Sequence, residues 1–256
     1  MIIDSHTHYN HKQFNEDQET LLNALPSQGI STVINIGYDL ESSQASVEMA
    51  EAYPHVYATV GVHPHDAKTI NEQVLKALED LCTHKKVVAF GEIGLDFFHN
   101  FSPAHVQRKG FNHQLALAHK VNLPVVIHSR DANDEVFNMI EASSVRRGVI
   151  HSFSGDTALA LKYVELGFYI GISGVITFDK SGKLQDTVAA IPLSSMLLET
   201  DCPYLTPKPY RGKRNNSTYL TFVAAEIAKI KGITAEAVYA QTSKNTKCLF
   251  GLGDSV

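Results

Sequence analysis

The chain alternates short apolar runs with amphipathic stretches. Eight runs have the length of strands, at residues 1–3, 32–36, 56–62, 87–90, 124–127, 148–150, 169–172 and 196–198. Several are apolar at consecutive positions, the pattern of parallel strands covered on both faces. Segments with helical spacing lie between most of them. Residues 16–28 carry Leu21, Leu22 and Leu25 on one side, and residues 104–121 carry Phe111, Leu115 and Ala118 at spacings of three and four. Residues 156–166 repeat the pattern ahead of Gly167, a glycine where helices end. Strand–helix units in series pair their strands in parallel through right-handed crossovers. Eight of them predict an α/β fold, a (β/α)8 TIM barrel, rather than an open doubly wound sheet.

No internal repeat, low-complexity tract or linker divides the chain, so residues 1–256 are expected to form one barrel domain. Residues 203–217, rich in proline, lysine and arginine, read as a functional loop after the last strand. Residues 218–231 and 234–250 read as helices that close the barrel and pack outside it.

Composition narrows the class. Hydrophobic residues make up 44% and charged residues 19%, ordinary for a globular protein. No apolar run approaches the roughly 18–20 residues that span a bilayer, and no basic segment with a long apolar stretch opens the chain. Cys82, Cys202 and Cys248 are far apart and form no Cys-x-x-Cys element, as expected of free thiols inside the cell. A cytoplasmic protein without a membrane partner is expected, with its oligomeric state open. The formal charge of −5 gives no overall attraction to nucleic acid, so phosphate binding must come from a local patch or from bound cations.

The chemistry gathers at the ends of the apolar runs. In an extended strand residues i and i+2 share a side, so His6 and His8 can bind one metal ion. His63 follows the third run, Glu92 the fourth, His128 the fifth, His151 the sixth and Asp201 the eighth. In a barrel these are C-terminal strand ends, where barrel enzymes build their active sites. His11, His55, His84, His99, His105, His113 and His119 fall mostly in loops or along helix-like segments and read as surface or packing residues. Phe97, Phe98 and Phe101 likewise read as packing rather than as a base-stacking platform.

Several imidazoles and two carboxylates converging without neutralisation would cost several kcal/mol per buried charge. A divalent metal is the direct compensation. Imidazole nitrogens mixed with carboxylate oxygens suit Zn, Mn, Fe or Mg and exclude a thiolate-type structural site. Cys202 points to the face opposite Asp201 if the strand continues and is not expected to bind. Six ligands exceed what one catalytic ion needs. Two ions fit better: His6, His8 and Asp201 on the first, His128 and His151 on the second, and Glu92 bridging. Such a pair acidifies water, orients a phosphodiester and stabilises the leaving oxygen, and Asp201 can also accept the water's proton. Glu92 and Asp201 are therefore the expected catalytic carboxylates. Gly-x-Ser-x-Gly is absent, and the thiols lack an activating motif.

The stretches Asp4-Ser5-His6-Thr7-His8, Gly61-Val62-His63-Pro64-His65, Gly91-Glu92-Ile93-Gly94-Leu95-Asp96, Pro124-Val125-Val126-Ile127-His128-Ser129-Arg130, His151-Ser152-Phe153-Ser154-Gly155 and Glu199-Thr200-Asp201 closely resemble TatD-type deoxyribonucleases, as does Pro209-Tyr210-Arg211-Gly212-Lys213-Arg214-Asn215. The resemblance runs from Met1 to the last helix in the family's order. It implies a metal-dependent hydrolase on a TIM barrel that cleaves DNA phosphodiesters, typically as a 3′→5′ exonuclease on single-stranded or frayed ends. RNA is a possible second substrate. Position by position it makes His6, His8, Glu92, His128, His151 and Asp201 the metal set for two divalent ions (Mg, Mn or Zn), and it brings His63 to the substrate phosphate or the metal shell. The family usually continues after Asn215 with Glu-Pro, whereas this chain has Asn216-Ser217, a difference that bears on loop shape and substrate preference.

Lys208, Arg211, Lys213 and Arg214 add a positive cluster beside Asp201 in sequence, suited to an anionic chain end, with Arg214 the expected phosphate contact. The rival readings are an amide or ester hydrolase, or an aminoacyl-tRNA deacylase, on the same barrel, and a non-enzymatic DNA- or metal-binding module. Many barrel hydrolases bridge their metals with a carboxylated lysine after the fourth strand. Glu92 in that place argues against that subclass.

Overall fold

A computed structural model describes residues 1–253 of the chain. Eight strands form one sheet: β1 (Ile2–Thr7), β2 (Ile30–Asn35), β3 (Val56–Val60), β4 (Val87–Asp96), β5 (Val125–Arg130), β6 (Gly148–Ile150), β7 (Phe168–Ile172) and β8 (Met196–Leu198). They pair in parallel in chain order, each with the next. The ring closes between β1 and the residues after β8. There the Asp201 amide donates to the His6 carbonyl at 3.0 Å and the His8 amide to the Cys202 carbonyl at 2.8 Å. Ser5 Oγ adds a bond to the Leu198 carbonyl at 2.9 Å.

All eight apolar runs are strands, and three, β1, β4 and β5, extend past the apolar residues at their C-terminal ends. β1 continues through Thr7, so His6 lies within the strand. β4 runs ten residues to Asp96, buried at every position. Its second half alternates Glu92, Gly94 and Asp96 with the core residues Ile93 and Leu95 and pairs with β5 as far as Asp96 opposite Arg130. The apolar run stops at Phe90 because the glycines and carboxylates that follow interrupt it, while pairing with β5 carries the strand on.

Nine helices are described: α1 (Gln18–Ala24), α2 (Leu40–Ala52), α3 (Glu72–Leu81), α4 (Ala104–Lys120), α5 (Asn133–Ala142), α6 (Thr157–Glu165), α7 (Lys183–Ala190), α8 (Leu220–Lys231) and α9 (Ala235–Phe250). α1 is shorter than expected because Pro26 lacks an amide to continue it, and the chain passes into a 3-10 turn at Pro26–Gln28. α2 carries little apolar periodicity because Ser42, Ser43 and Ser46 are among its buried residues. It is set instead by a capping box in which Asp39 accepts from the Ser42 amide at 2.7 Å while Ser42 Oγ accepts from the Asp39 amide at 2.9 Å.

Alternation along the strands divides the core in two. Val125, Ile127, Ile150, Met196 and Leu198 pack outward with helix residues such as Phe111, Tyr163 and Ile227. Val126, Val149 and Leu197 point inward, where Leu249 and Phe250 from the end of α9 join them. Among the described residues, no helix is long and apolar enough to cross a membrane.

Candidate metal centre

The inward positions lead directly to the site. Two residues beyond Val126, Val149 and Leu197, on the same face, stand His128, His151 and Glu199. His6 comes from β1, Glu92 from β4, and Asp201 and His8 from the closing seam. The six expected ligands thus meet at the C-terminal mouth of the barrel.

Glu92 stands between two sets of imidazoles. Its Oε2 lies 3.6 Å from His6 Nε2 and 3.9 Å from His8 Nε2. Its Oε1 lies 2.9 Å from His128 Nδ1 and 3.7 Å from His63 Nε2. The close approach of β4 to β5 behind this geometry requires Gly94. A Cβ there would sit 1.9 Å from the His128 carbonyl oxygen, and the backbone has φ +149°.

Asp201 faces three imidazoles. Its Oδ1 is 3.3 Å from His8 Nε2, 3.6 Å from His6 Nε2 and 3.7 Å from His151 Nε2. The residue adopts a left-handed backbone, φ 57°, which aspartate tolerates better than most side chains. His151 stacks on His6 with centroids 3.5 Å apart, and its Nδ1 lies 3.0 Å from Glu199 Oε1. Glu199 fits because Gly171 has no Cβ, which would stand 2.4 Å from Oε2. Asp4, fully buried, accepts from the Thr200 amide and hydroxyl at 3.0 and 2.7 Å and from the His6 amide at 3.3 Å. It therefore ties His6 to the segment after β8 that carries Asp201. Burial pushes its carboxyl up to about 7 against those hydrogen bonds.

A second group adjoins the first. Asp96 Oδ2 meets His65 Nε2 at 2.9 Å, His99 Nδ1 at 3.2 Å and His128 Nε2 at 3.2 Å. His99 is exposed, as expected, and also belongs to this group, because the turn after β4 folds it back onto Asp96. Asp96, His65 and Glu199 went without an assigned role in the sequence, although spacing held a signal for each. Asp96 is four residues from Glu92, and His65 and Glu199 are two from His63 and Asp201. Of the aromatic residues of the same turn, Phe97 packs against the core as expected, whereas Phe98 and Phe101 depart from the packing reading and are exposed.

Charges and burial act together. Burial opposes ionisation of Glu92, yet His63, His128 and His6 hold its carboxyl well below the ordinary range. Burial also opposes ionisation of Asp201, which His151, His8 and His6 hold low. His6 and His63 are pushed down by burial and by neighbouring imidazoles, which keeps them neutral with a lone pair to offer. Burial works against a charge on His128 and His151, but Asp96 and Glu92 raise the first, and Glu199 and Asp201 raise the second to about 10.

The donor set fits divalent cations. Two ligands each about 2.1 Å from an ion at a tetrahedral angle stand about 3.4 Å apart. The contacts of 3.3 to 3.9 Å from the imidazoles of His6 and His8 to the carboxylates of Glu92 and Asp201 bracket that spacing. Most are too long for direct hydrogen bonds. Glu92 belongs to two such groupings, one with His6 and His8 and one with His63 and His128.

Arg214 is committed elsewhere. Its Nη1 and Nη2 donate to Asp17 at 2.8 and 2.5 Å, and the guanidinium lies 4.7 Å over the Phe14 ring. Arg211 likewise sits 3.8 Å over Phe178. The cleft beside the centre holds about 370 Å³ and is lined by His128, Arg130, His151, Ser152, Lys183 and Asp201, among others.

The family model of TatD-related DNases matches residues 3–251, the whole barrel with its closing helices. The chain belongs to the TatD-related DNase family. As a TatD-family protein it is a metal-dependent hydrolase acting on ester bonds. It is 38% identical over 252 residues to the metal-dependent hydrolase YabD of Bacillus subtilis, covering 98% of this chain and 99% of that one. To the 3′-5′ ssDNA/RNA exonuclease TatD of Klebsiella pneumoniae it is 34% identical over 247 residues, 94% of each. The crystal structure of YjjV, a TatD homologue from Escherichia coli K12, superposes with a TM-score of 0.93 at 32% identity, covering 98% of each chain.

Proposed function

We propose that this TatD-family hydrolase is a nuclease that removes nucleotides from the 3′ end of unpaired DNA, and of RNA, using two divalent cations. The observation that carries the reading is Glu92, whose two oxygens face separate imidazole pairs. In this reading His6, His8 and Asp201 hold one cation, His128 and His151 the other, and Glu92 both. His63 shares the Glu92 oxygen that faces His128 and helps to receive the phosphate. Mg, Mn and Zn suit the donors. When bound, the cations supply the positive charge that acidifies water and neutralises the phosphodiester oxygens.

The chain's own residues do the rest. Asp201, kept ionised, accepts the proton of the attacking water. Glu199 and Asp96 hold the rings of His151 and His128 by their second nitrogens. Arg130 and Lys183 line the cleft with cationic groups that draw in the phosphate chain. Arg214 has a smaller share than an unpaired arginine would, because Asp17 offsets its charge.

End-labelled single-stranded DNA incubated with Mg, Mn, Co or Zn tests the proposal. Mononucleotides should leave from the 3′ end, and covalently closed circles should resist. Rapid cutting of circles would overturn the exonuclease polarity. Acyl release from amide, ester or aminoacyl-tRNA substrates with no nucleotide product would overturn the nuclease reading itself.

A further inference from the structure

Seven large hydrophobic side chains are exposed among the described residues, and three of them gather at the barrel mouth: Phe98, Phe101 and Tyr204. Phe98 and Phe101 are 59% and 63% exposed, in the turn that follows β4. Tyr204 is 46% exposed and follows β8, its amide donating to the Asp201 carbonyl at 2.8 Å. In a ring of eight strands in chain order, β4 and β8 stand four apart. The two aromatic groups therefore face each other across the mouth with the donor set between them.

Each group is anchored to that donor set. The Phe101 ring packs 4.8 Å from His65, whose Nε2 reaches Asp96 and whose ring lies 4.3 Å from that of His63. Arg130, which lines the cleft, stacks 4.2 Å from the Phe98 centroid. On the far wall the Tyr204 ring lies 6.3 Å from His8 and 5.6 Å from His11. The end of the β4 turn is tied down by hydrogen bonds. Ser102 Oγ donates to the His65 carbonyl at 2.7 Å and accepts from the Lys68 amide at 3.2 Å, while Gln107 Nε2 donates to the Ser102 carbonyl at 2.8 Å. Rings left in water forgo the gain of burial. Rings left in water yet held in place are suited to a flat partner that arrives from solution.

We propose that Phe98 with Phe101, and Tyr204 opposite, are two base-stacking shelves that take unpaired nucleobases on either side of the phosphodiester to be cut. This rests on the nuclease reading and deepens it by naming what recognises the strand. Aromatic faces accept any base, so capture is independent of sequence. A base inside a duplex has both faces covered by its neighbours, and a terminal pair is held by its partner strand and offers only one, so two shelves on either side of the cut favour unpaired ends. Arg130 above Phe98 adds a cation where the phosphate chain passes.

The test measures binding in an Asp201→Asn background, which slows cleavage, with Mg present. Three 12-mers are compared: oligothymidine, the same length of abasic deoxyribose phosphate, and an oligomer carrying 2-aminopurine as a stacking reporter. Phe98→Ala/Phe101→Ala should weaken oligothymidine binding about tenfold or more and abolish the fluorescence quenching of bound 2-aminopurine. Binding of the abasic oligomer should stay within twofold, since its phosphates remain. Tyr204→Ala should behave alike, and Phe98→Trp/Phe101→Trp should restore both readouts, which a general loss of fold would not allow. Equal loss on both oligomers, or no loss on either, overturns the shelves while the nuclease reading stands. If the background protein binds neither oligomer and the unaltered protein cleaves no DNA, both fall together.

Discussion

Glu92 and Glu199 show how one residue type performs two tasks in this centre. Glu92 offers an oxygen to each side of the donor set, so Glu92→Gln should cost both cations together. Metal content and DNA hydrolysis measured on one preparation should fall together, hydrolysis by at least about 100-fold. Normal metal content with retained activity would remove Glu92 from the bridge. Glu199 faces the outer nitrogen of His151 instead, and Glu199→Gln should weaken cation affinity by about 10- to 100-fold. Activity should return at saturating metal, which a lost ligand would not permit. At this scale much was legible. His6, His8, His63, Glu92, His128, His151 and Asp201 follow apolar runs, and all of them meet at the mouth. Asp96 and Glu199 were harder to read, because a carboxylate that serves an imidazole looks in sequence like any polar residue near a strand end.

At the scale of elements, β4 and the loop after β8 decide the most. β4 carries Glu92 and Asp96 on a strand whose approach to β5 leaves no room for a Cβ at Gly94. Gly94→Ala should destabilise the fold by roughly 3 kcal/mol or more and move His128 away from Glu92. Thermal unfolding and metal affinity read the two effects separately. In the loop after β8, Asn216-Ser217 replaces the family's usual Glu-Pro. Asn216 caps the following 3-10 turn by accepting from the Thr218 amide at 3.0 Å, and Ser217 Oγ pairs with the Tyr9 hydroxyl at 2.9 Å. The departure is absorbed locally. Arg214, in the same loop, is held by Asp17, so Arg214→Ala should lower the salt dependence of DNA binding by less than the roughly one unit of slope expected of an unpaired phosphate contact. A titration of affinity against salt supplies the number. A basic cluster in sequence is a count of charges, and only the folded chain shows which of them already have a partner.

At the scale of the molecule, the centre concentrates ionised carboxylates and imidazoles at the barrel mouth, with His6, His8 and Asp201 at the seam where β1 meets the residues after β8. Cations that bind the folded chain and not the unfolded one stabilise it by mass action, about 2.7 kcal/mol at a hundred times the dissociation constant. Chelation should therefore lower the melting temperature by several degrees, and re-addition of metal should restore it. An unchanged melting temperature would mean that the closing seam holds without cations.

The sequence by itself determined the barrel, because eight apolar runs separated by amphipathic segments have few ways to bury both faces of parallel strands. It also determined the edge of the barrel where the chemistry lies, because ligand-type residues follow those runs. Tertiary structure alone decided the partners. It placed the two oxygens of Glu92 toward different imidazoles, brought His99 to Asp96, gave Arg214 to Asp17, and left Phe98, Phe101 and Tyr204 in water around the mouth. Periodicity records which face of an element is buried. Pairing between distant loops depends on strand register, on the curvature that closes a ring and on where a turn folds back, and none of these leaves a period in the chain.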